Sequence, residues 1–323
     1  MNVLVTGGAG YIGSTLVPRL LSAGHKVRVL DLLLHGPDPL VGLWSCPTFE
    51  FIRGDVRDAG TVKTALEGMD AVIHLAAIVG DPACAANPQM AREVNLQASL
   101  SLFKESKESG VSRFLFASTC SNYGKMPDPE LFVDETSELS PVSLYAETKV
   151  EVEKQILLPE EGAGIAPTVL RFSTVYGVSP RMRFDLTVNE FTMEMIVNKK
   201  LVVFGEQFWR PYIGVMDAAR VLELTLKAPP DTVQGEVFNA GSTDQNYKKQ
   251  DLVEMIDRYV PGSTIEYVHR EEDPRDYRVD FGKLRDALGY EKTYTVEKGI
   301  LEVARLVRSG MIADFGDSRY RNS

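Results

Sequence analysis

The feature that most constrains this chain is a hydrophobic run that breaks directly into a glycine-rich loop. Val3-Leu4-Val5 leads into Thr6-Gly7-Gly8-Ala9-Gly10-Tyr11-Ile12-Gly13. Three glycines at these spacings, straight after a strand and opening a helix, suit the first turn of a wound α/β sheet. Gly7 permits the tight turn, Gly10 lets a ligand approach the backbone, and Gly13 lets the helix pack closely on the sheet. The helix start, with Tyr11 and Ile12 beside it, offers free N–H donors and a partial positive charge to a dinucleotide pyrophosphate.

Asp31 ends the next apolar run, Lys26 to Asp31, about 20 residues beyond the loop. A carboxylate there accepts from adenosine ribose hydroxyls and repels a 2′-phosphate. No arginine follows in Leu32-Leu33-Leu34, so NAD is expected rather than NADP. Asp55 and Val56 follow the third strand, Phe49 to Arg53, where Asp55 is a candidate for the adenine amino group. Leu75, Ala76 and Ala77 follow the fourth strand, Ala71 to Leu75, where small residues let a cofactor lie across the strand ends. His74 reads as a structural, hydrogen-bonded histidine.

The remaining elements of the first half alternate in the same way. Helices are expected over Tyr11 to Ala23, Ala59 to Glu67, Met90 to Ser109 and Val142 to Leu158. Further strands are expected over Arg113 to Ser118 and Thr168 to Phe172. The runs are β-branched with little alternation, as parallel strands covered on both faces should be. The fold class is therefore α/β: a Rossmann-type doubly wound parallel sheet. A smaller, discontinuous, mixed α/β substrate domain is expected beside it. Residues 1–177, with a returning strand near 213–241, form the dinucleotide-binding domain, and 178–212 with 242–323 form the other.

The chemistry points to Tyr145-Ala146-Glu147-Thr148-Lys149, in which a phenol and an ammonium stand one helical turn apart. Tyrosine, with a free pKa of about 10, is a poor base at neutral pH. A neighbouring lysine and a positive nicotinamide favour its phenolate. Strand five ends in Ser118-Thr119-Cys120-Ser121-Asn122, at the edge where a wound sheet binds ligands. Thr119 is placed to hold a reacting hydroxyl toward Tyr145. Hydride transfer at a hydroxyl carbon is the reaction implied.

Composition excludes several other classes. Apolar residues are 44%, charged residues 25%, and the net charge is −10, which disfavours nucleic acid. No apolar run reaches the roughly 18 residues of a membrane span. The N-terminus lacks a basic, cleavable leader pattern, so a cytoplasmic protein is expected. Cys46, Cys84 and Cys120 are scattered and few, against both a disulfide framework and structural zinc.

With these motifs together, the chain resembles the extended short-chain dehydrogenase/reductases, specifically the NAD-dependent nucleotide-sugar epimerase/dehydratase family. The resemblance also rests on Gly54-Asp55-Val56, His74-Leu75-Ala76-Ala77 and Arg171-Phe172-Ser173-Thr174-Val175-Tyr176-Gly177, and runs from Asn2 to about Tyr290. It implies bound NAD, a nucleotide-diphospho-sugar substrate and transient oxidation at sugar C4. It also implies a homodimer built on a four-helix bundle from the helices near Met90–Ser109 and Val142–Leu158. Arg210 matches an arginine that grips the substrate diphosphate. Arg275 resembles a second phosphate or ribose contact, with Arg278 competing, and Asn189 matches a nucleotide contact. Asp81, Ser121, Asn122, Arg181 and Arg183 are further candidates for sugar or phosphate.

The departures matter as much. Sugar 4,6-dehydratases of the family carry Asp-Glu after the Thr, and decarboxylases keep the Glu. Here the two positions are Cys120 and Ser121. Thr174 stands where the family usually has Asn. Oxidation is thus expected without elimination or decarboxylation. The readings left open are a 4-epimerase, a 4-dehydrogenase releasing the ketone, and a C3/C5 epimerase using Cys120 as acid or base. A noncatalytic NAD sensor would be expected to have lost Tyr145 or Lys149.

Overall fold

The structure is a computed structural model describing residues 1–126, 128, 131–158, 165–270 and 275–322. Seven parallel strands form its central sheet. From edge to edge they are Val237–Ala240, Ala166–Phe172, Arg113–Thr119, Ala71–His74, Asn2–Thr6, Lys26–Asp31 and Phe49–Arg53. Chain order reverses beside the first strand, so its C-terminal end opens onto the crevice of a doubly wound sheet. Val237–Ala240 returns to the sheet after an excursion of more than sixty residues, pairing with Val169–Phe172.

Both sheet faces are covered, which is why the strands lack alternation. Val3, Val5, Val29 and Ile73 pack on one side with Leu16, Leu20 and Leu222. Leu4, Leu30, Val72 and Phe116 pack on the other with Val62, Leu102 and Val152. Fully burying each such side chain is worth about 1.5–3 kcal/mol.

About and beyond Gly177 the sheet of Asn246–Lys248, Trp209–Gly214 and Thr174–Tyr176, the pair Thr264–Val268 and Lys200–Phe204, and the helices Thr187–Val197, Lys249–Tyr259 and Val296–Arg308 enclose a separate core. Val188, Met195, Leu201, Tyr212, Leu252 and Ile300 make it up. The strand Trp209–Gly214 joins the two regions, pairing with Thr174–Tyr176 on one side and Asn246–Lys248 on the other.

Two helices differ from the sequence reading. The first begins at Gly13 rather than Tyr11, with Ile12 as its cap and no side chain bonding its end. The long helix from Met90 is interrupted: Pro88–Arg92 and Ser99–Glu108 flank a π-helical turn over Glu93–Ala98. The wider turn holds Asn95, wholly buried, facing the loop after the fourth strand.

Candidate active site

The glycine loop is a cradle that side chains would fill. Gly7 has φ +75°, and a Cβ there would meet Ala76 N at 2.7 Å. A Cβ on Gly10 would press Gly7 O at 3.1 Å, and one on Gly13 would collide with the same oxygen. Among the described residues the amides of Tyr11 and Ile12 have no acceptor. This suits an anionic diphosphate lying on the backbone, with the helix dipole behind it.

Asp31 holds the loop in shape. Its Oδ2 accepts from Ala9 N at 2.9 Å and its Oδ1 from Leu33 N at 2.8 Å. Burial raises its pKa, and the two amides oppose the rise. Asp55, at the next strand end, pairs with Arg57 at 2.7 Å, and Arg57 reaches Glu93 at 2.9 Å. Val56 is buried beside it.

His74 is a scaffold residue, as expected. Thr6 Oγ1 lies 2.6 Å from Nδ1, and Nε2 lies 2.9 Å from Ser99 Oγ. The Ser99 hydroxyl donates to Asn95 O, which assigns the ring proton to Nε2. Burial pushes the histidine pKa down to about 3. Leu75, Ala76 and Ala77 follow, partly open toward the crevice.

Tyr145 and Lys149 lie on the helix Leu144–Ile156, whose start is capped by Ser143 accepting from Ala146 N. Lys149 is 2% exposed, its Nζ donates to Ala117 O at 2.9 Å and lies 5.9 Å from the Tyr145 ring centre. Burial pushes its pKa down to about 8. Burial likewise raises the Tyr145 phenol, and the neighbouring Cys84 and Asp81 add to the rise. The Arg183 guanidinium, itself paired with Asp185 at 2.7 Å, opposes this rise. Asn95 supports the same wall, taking Ile78 N at 2.8 Å and donating to Ile78 O and Cys84 Sγ. Neither Asn95 nor Cys84 was singled out from sequence. The one available signal was an asparagine inside a long helix, where it is a poor former.

The strand-five residues divide. Thr119 is buried, its Oγ1 accepting from Ser121 N at 3.1 Å, while Ser121 is partly accessible, its Oγ 3.5 Å from the Tyr277 hydroxyl. Asn122 is wholly buried and donates to Ser118 Oγ and Glu153 Oε1, so it serves a polar core instead of facing a sugar. Glu153 and Arg171 anchor that core as a buried ion pair at 2.7 Å. Cys120 is 1% exposed among Tyr123, Val133, Tyr277 and Phe281. Its thiol donates to Arg171 O at 3.1 Å, and burial drives its pKa upward. A thiol so placed packs the wall and has no route to act as acid or base, correcting the catalytic candidate.

The second region supplies the facing wall. Thr174 is partly exposed on its short strand. Arg210 is buried, donates to Trp209 O at 2.6 Å and stacks over Tyr277. Arg275 pairs with Asp81 at 2.8 Å, while its neighbours Asp273 and Pro274 lie outside the described residues. Asn189 is wholly buried: it accepts from Gly177 N and donates to Arg183 O and the Tyr11 hydroxyl. Its amide braces the loop instead of reaching a nucleotide. The backbone of Arg181, a candidate for sugar or phosphate, docks on the helix that follows the glycine loop, its main-chain N–H donating to Ser14 Oγ at 3.2 Å.

The chain is similar to known proteins over most of its length. Residues 3–241 match the model of the NAD dependent epimerase/dehydratase family. A UDP-glucose 4-epimerase of Lactobacillus helveticus is 31% identical over 314 residues, covering 90% of this chain and 92% of its own. The UDP-glucose 4-epimerase of Thermus thermophilus, solved with NAD, superposes with a TM-score of 0.83 at 27% identity, covering 97% and 100%. A UDP-glucuronic acid 4-epimerase from Bacillus cereus, solved with UDP-glucuronic acid and NAD, gives 0.84 at 26% identity, covering 96% and 99%.

Proposed function

Because the chain belongs to the NAD dependent epimerase/dehydratase family, and so is an NAD-dependent enzyme of nucleotide sugars, we propose that it is a nucleotide-diphospho-sugar 4-epimerase. The observation that supports this reading is Lys149 Nζ, bonded to Ala117 O on the strand that ends in Thr119 and 5.9 Å from the Tyr145 ring centre, with Cys120 and Ser121 where an eliminating acid–base pair would stand. The Lactobacillus and Thermus relatives, both UDP-glucose 4-epimerases, support it and put UDP-sugars first among substrates.

When bound, NAD supplies a reversible acceptor for the hydride of the sugar carbon. Tyr145 takes the proton of the C4 hydroxyl during oxidation and returns it during reduction. Lys149, held by the Ala117 carbonyl, keeps a positive charge beside the phenol and offers its remaining N–H bonds to the cofactor ribose. Thr119 orients the hydroxyl. Arg210 and Arg275 hold the substrate diphosphate while the keto sugar turns over. Serine at position 121 has far too high a pKa to remove a C5 proton, so the ketone is reduced rather than dehydrated.

Two copies associate through the helical segment 88–108 and the helix Leu144–Ile156, which already pack side by side with Arg92 3.8 Å from Glu147. The three free thiols suit the reducing cytoplasm. Among the described residues no helix is long and apolar enough to cross a membrane.

Nucleotide sugars deuterated at C4 test the reading. Deuterium retained at C4 of the inverted sugar is the expected result. A released 4-ketone with one equivalent of NADH would identify a 4-dehydrogenase instead.

A further inference from the structure

The C-terminal segment returns to the cofactor crevice. After the helix Val296–Arg308, Phe315 and Tyr320 pack edge-on against Phe184, with ring centres 5.0 and 6.0 Å away. Phe184 N donates to Tyr320 O at 2.9 Å. Arg319 lies 3.9 Å from Asp38, seven positions beyond Asp31. At the other end Asn322 N donates to Asp185 Oδ2 at 3.1 Å, and its Nδ2 lies 3.5 Å from Val79 O. Asp38 follows the second sheet strand and Val79 the fourth. The glycine loop follows the first, which lies between them. The segment therefore bridges the crevice on either side of that loop.

Arg181 stands between the two. Its own segment is docked on the loop: Ser179 Oγ donates to Tyr11 O at 2.7 Å and lies 3.0 Å from Ser14 Oγ. Its guanidinium is braced by the C-terminal segment, Nη2 donating to Arg321 O at 3.0 Å and to Asn322 Oδ1 at 2.7 Å. The side chain is 4% exposed, yet its Nε has no acceptor among the described residues. Its charge bears on Tyr11, Asp31 and His35 together. A buried guanidinium whose bonded acceptors are neutral, with a donor left over, is costly unless an anion completes it. The start of the ten-residue helix beside it, with the unused amides of Tyr11 and Ile12, calls for the same partner.

We propose that Arg181, braced by Arg321 and Asn322, is a cofactor-binding residue that clamps the dinucleotide diphosphate against the glycine loop. The inference rests on the family's use of NAD and assigns to cofactor retention a residue expected to serve the sugar. Arg181 binds from the substrate-side region, so it ties the two halves of the molecule through the diphosphate. The C-terminal segment fixes the guanidinium plane that phosphate oxygens need.

The test is titration of nucleotide-stripped full-length protein with NAD, ADP-ribose and adenosine, followed by calorimetry. In Arg181→Met the dissociation constants of NAD and ADP-ribose rise roughly 10- to 100-fold, as for loss of a charged hydrogen bond, while that of adenosine is unchanged. Arg181→Lys recovers part of the loss. Asn322→Ala, which leaves the charge but removes a brace, speeds NAD release several-fold and serves if Arg181→Met does not fold. Unchanged NAD binding in both variants, or an equal loss of adenosine binding, overturns the clamp. A rise confined to the KM of the nucleotide sugar overturns it in favour of the sugar side. Failure of the unaltered protein to bind NAD would instead remove the cofactor assignment itself.

Discussion

Arg275 Nη1 lies 2.8 Å from Asp81 Oδ2, so a residue expected at the substrate phosphate or ribose and one expected at the sugar or phosphate are bonded to each other. One follows the fourth sheet strand and the other belongs to the substrate-side region. A substrate diphosphate that recruits Arg275 must compete with this carboxylate. Asp81→Asn is therefore expected to lower the KM for the nucleotide sugar a few-fold, and Arg275→Met to raise it about tenfold. The pair is partly exposed, so its loss costs at most about 1 kcal/mol, and the melting temperature should barely move. A large drop in melting temperature with unchanged KM would make the pair a structural tie.

Tyr145 carries the proton in the proposed reaction. Tyr145→Phe should lower kcat by about 10²- to 10⁴-fold, the usual weight of general acid–base catalysis. NAD binding should survive, because the phenol is not what holds the diphosphate. Steady-state kinetics beside a cofactor titration checks both, and undiminished turnover would sink the mechanism.

Asp31 has two duties that one substitution exposes together. Its carboxylate bonds Ala9 N, shaping the loop, and in the proposed cofactor site it would repel a 2′-phosphate. Asp31→Ser should weaken NAD about tenfold through the lost charged hydrogen bonds. It should also narrow the preference for NAD over NADP. Retention of the full preference would move the discrimination elsewhere.

His74 makes stability fall in acid. Burial holds its folded pKa at about 3, against an ordinary value of 6.5. Above pH 6.5 both states are neutral there, and nothing is lost. As pH falls from 6.5 toward 3 the unfolded chain takes a proton that the folded chain refuses. Stability then declines by about 1.4 kcal/mol per pH unit from this group. Denaturant unfolding of His74→Gln should show a shallower decline over that window, whatever its stability at pH 8. An unchanged slope would show that the ring is not held neutral.

The Glu153–Arg171 pair offers a contrast between breaking and replacing a buried ion pair. Glu153→Gln strands the guanidinium and should cost about 3–5 kcal/mol. Glu153→Leu combined with Arg171→Met should recover much of this, because neither charge then remains buried. Thermal unfolding of the three proteins decides the matter. A double variant as unstable as the single one would show that the network with Ser118, Asn122 and Tyr123 holds the strand ends by itself.

Much of the architecture was legible because it is local. Apolar runs without alternation belong to strands covered on both faces, and each breaks where glycine or a polar residue meets the crevice. The glycine loop, Asp31 and the Tyr145–Lys149 turn are short-range patterns tied to one turn, one strand end and one helix face. The π-helical turn at Asn95 was not legible, because a buried amide reaching Ile78 and Cys84 overrides a helical period that continues on both sides of it.

The sequence by itself determined the sheet, the glycine loop and the helical turn that carries Tyr145 and Lys149, since each depends on neighbours within a few residues. Only the tertiary structure decided where the arginines and the thiol sit. Arg181 and Ser14 are 167 positions apart, and Asn322 and Val79 are 243. Periodicity carries no information over such distances. Cys120 and Asn122 face inward because a short 3-10 turn after Thr119 rotates them toward Arg171 and Glu153. Side-chain direction at a strand end is set by what packs there, which is a property of the folded chain alone.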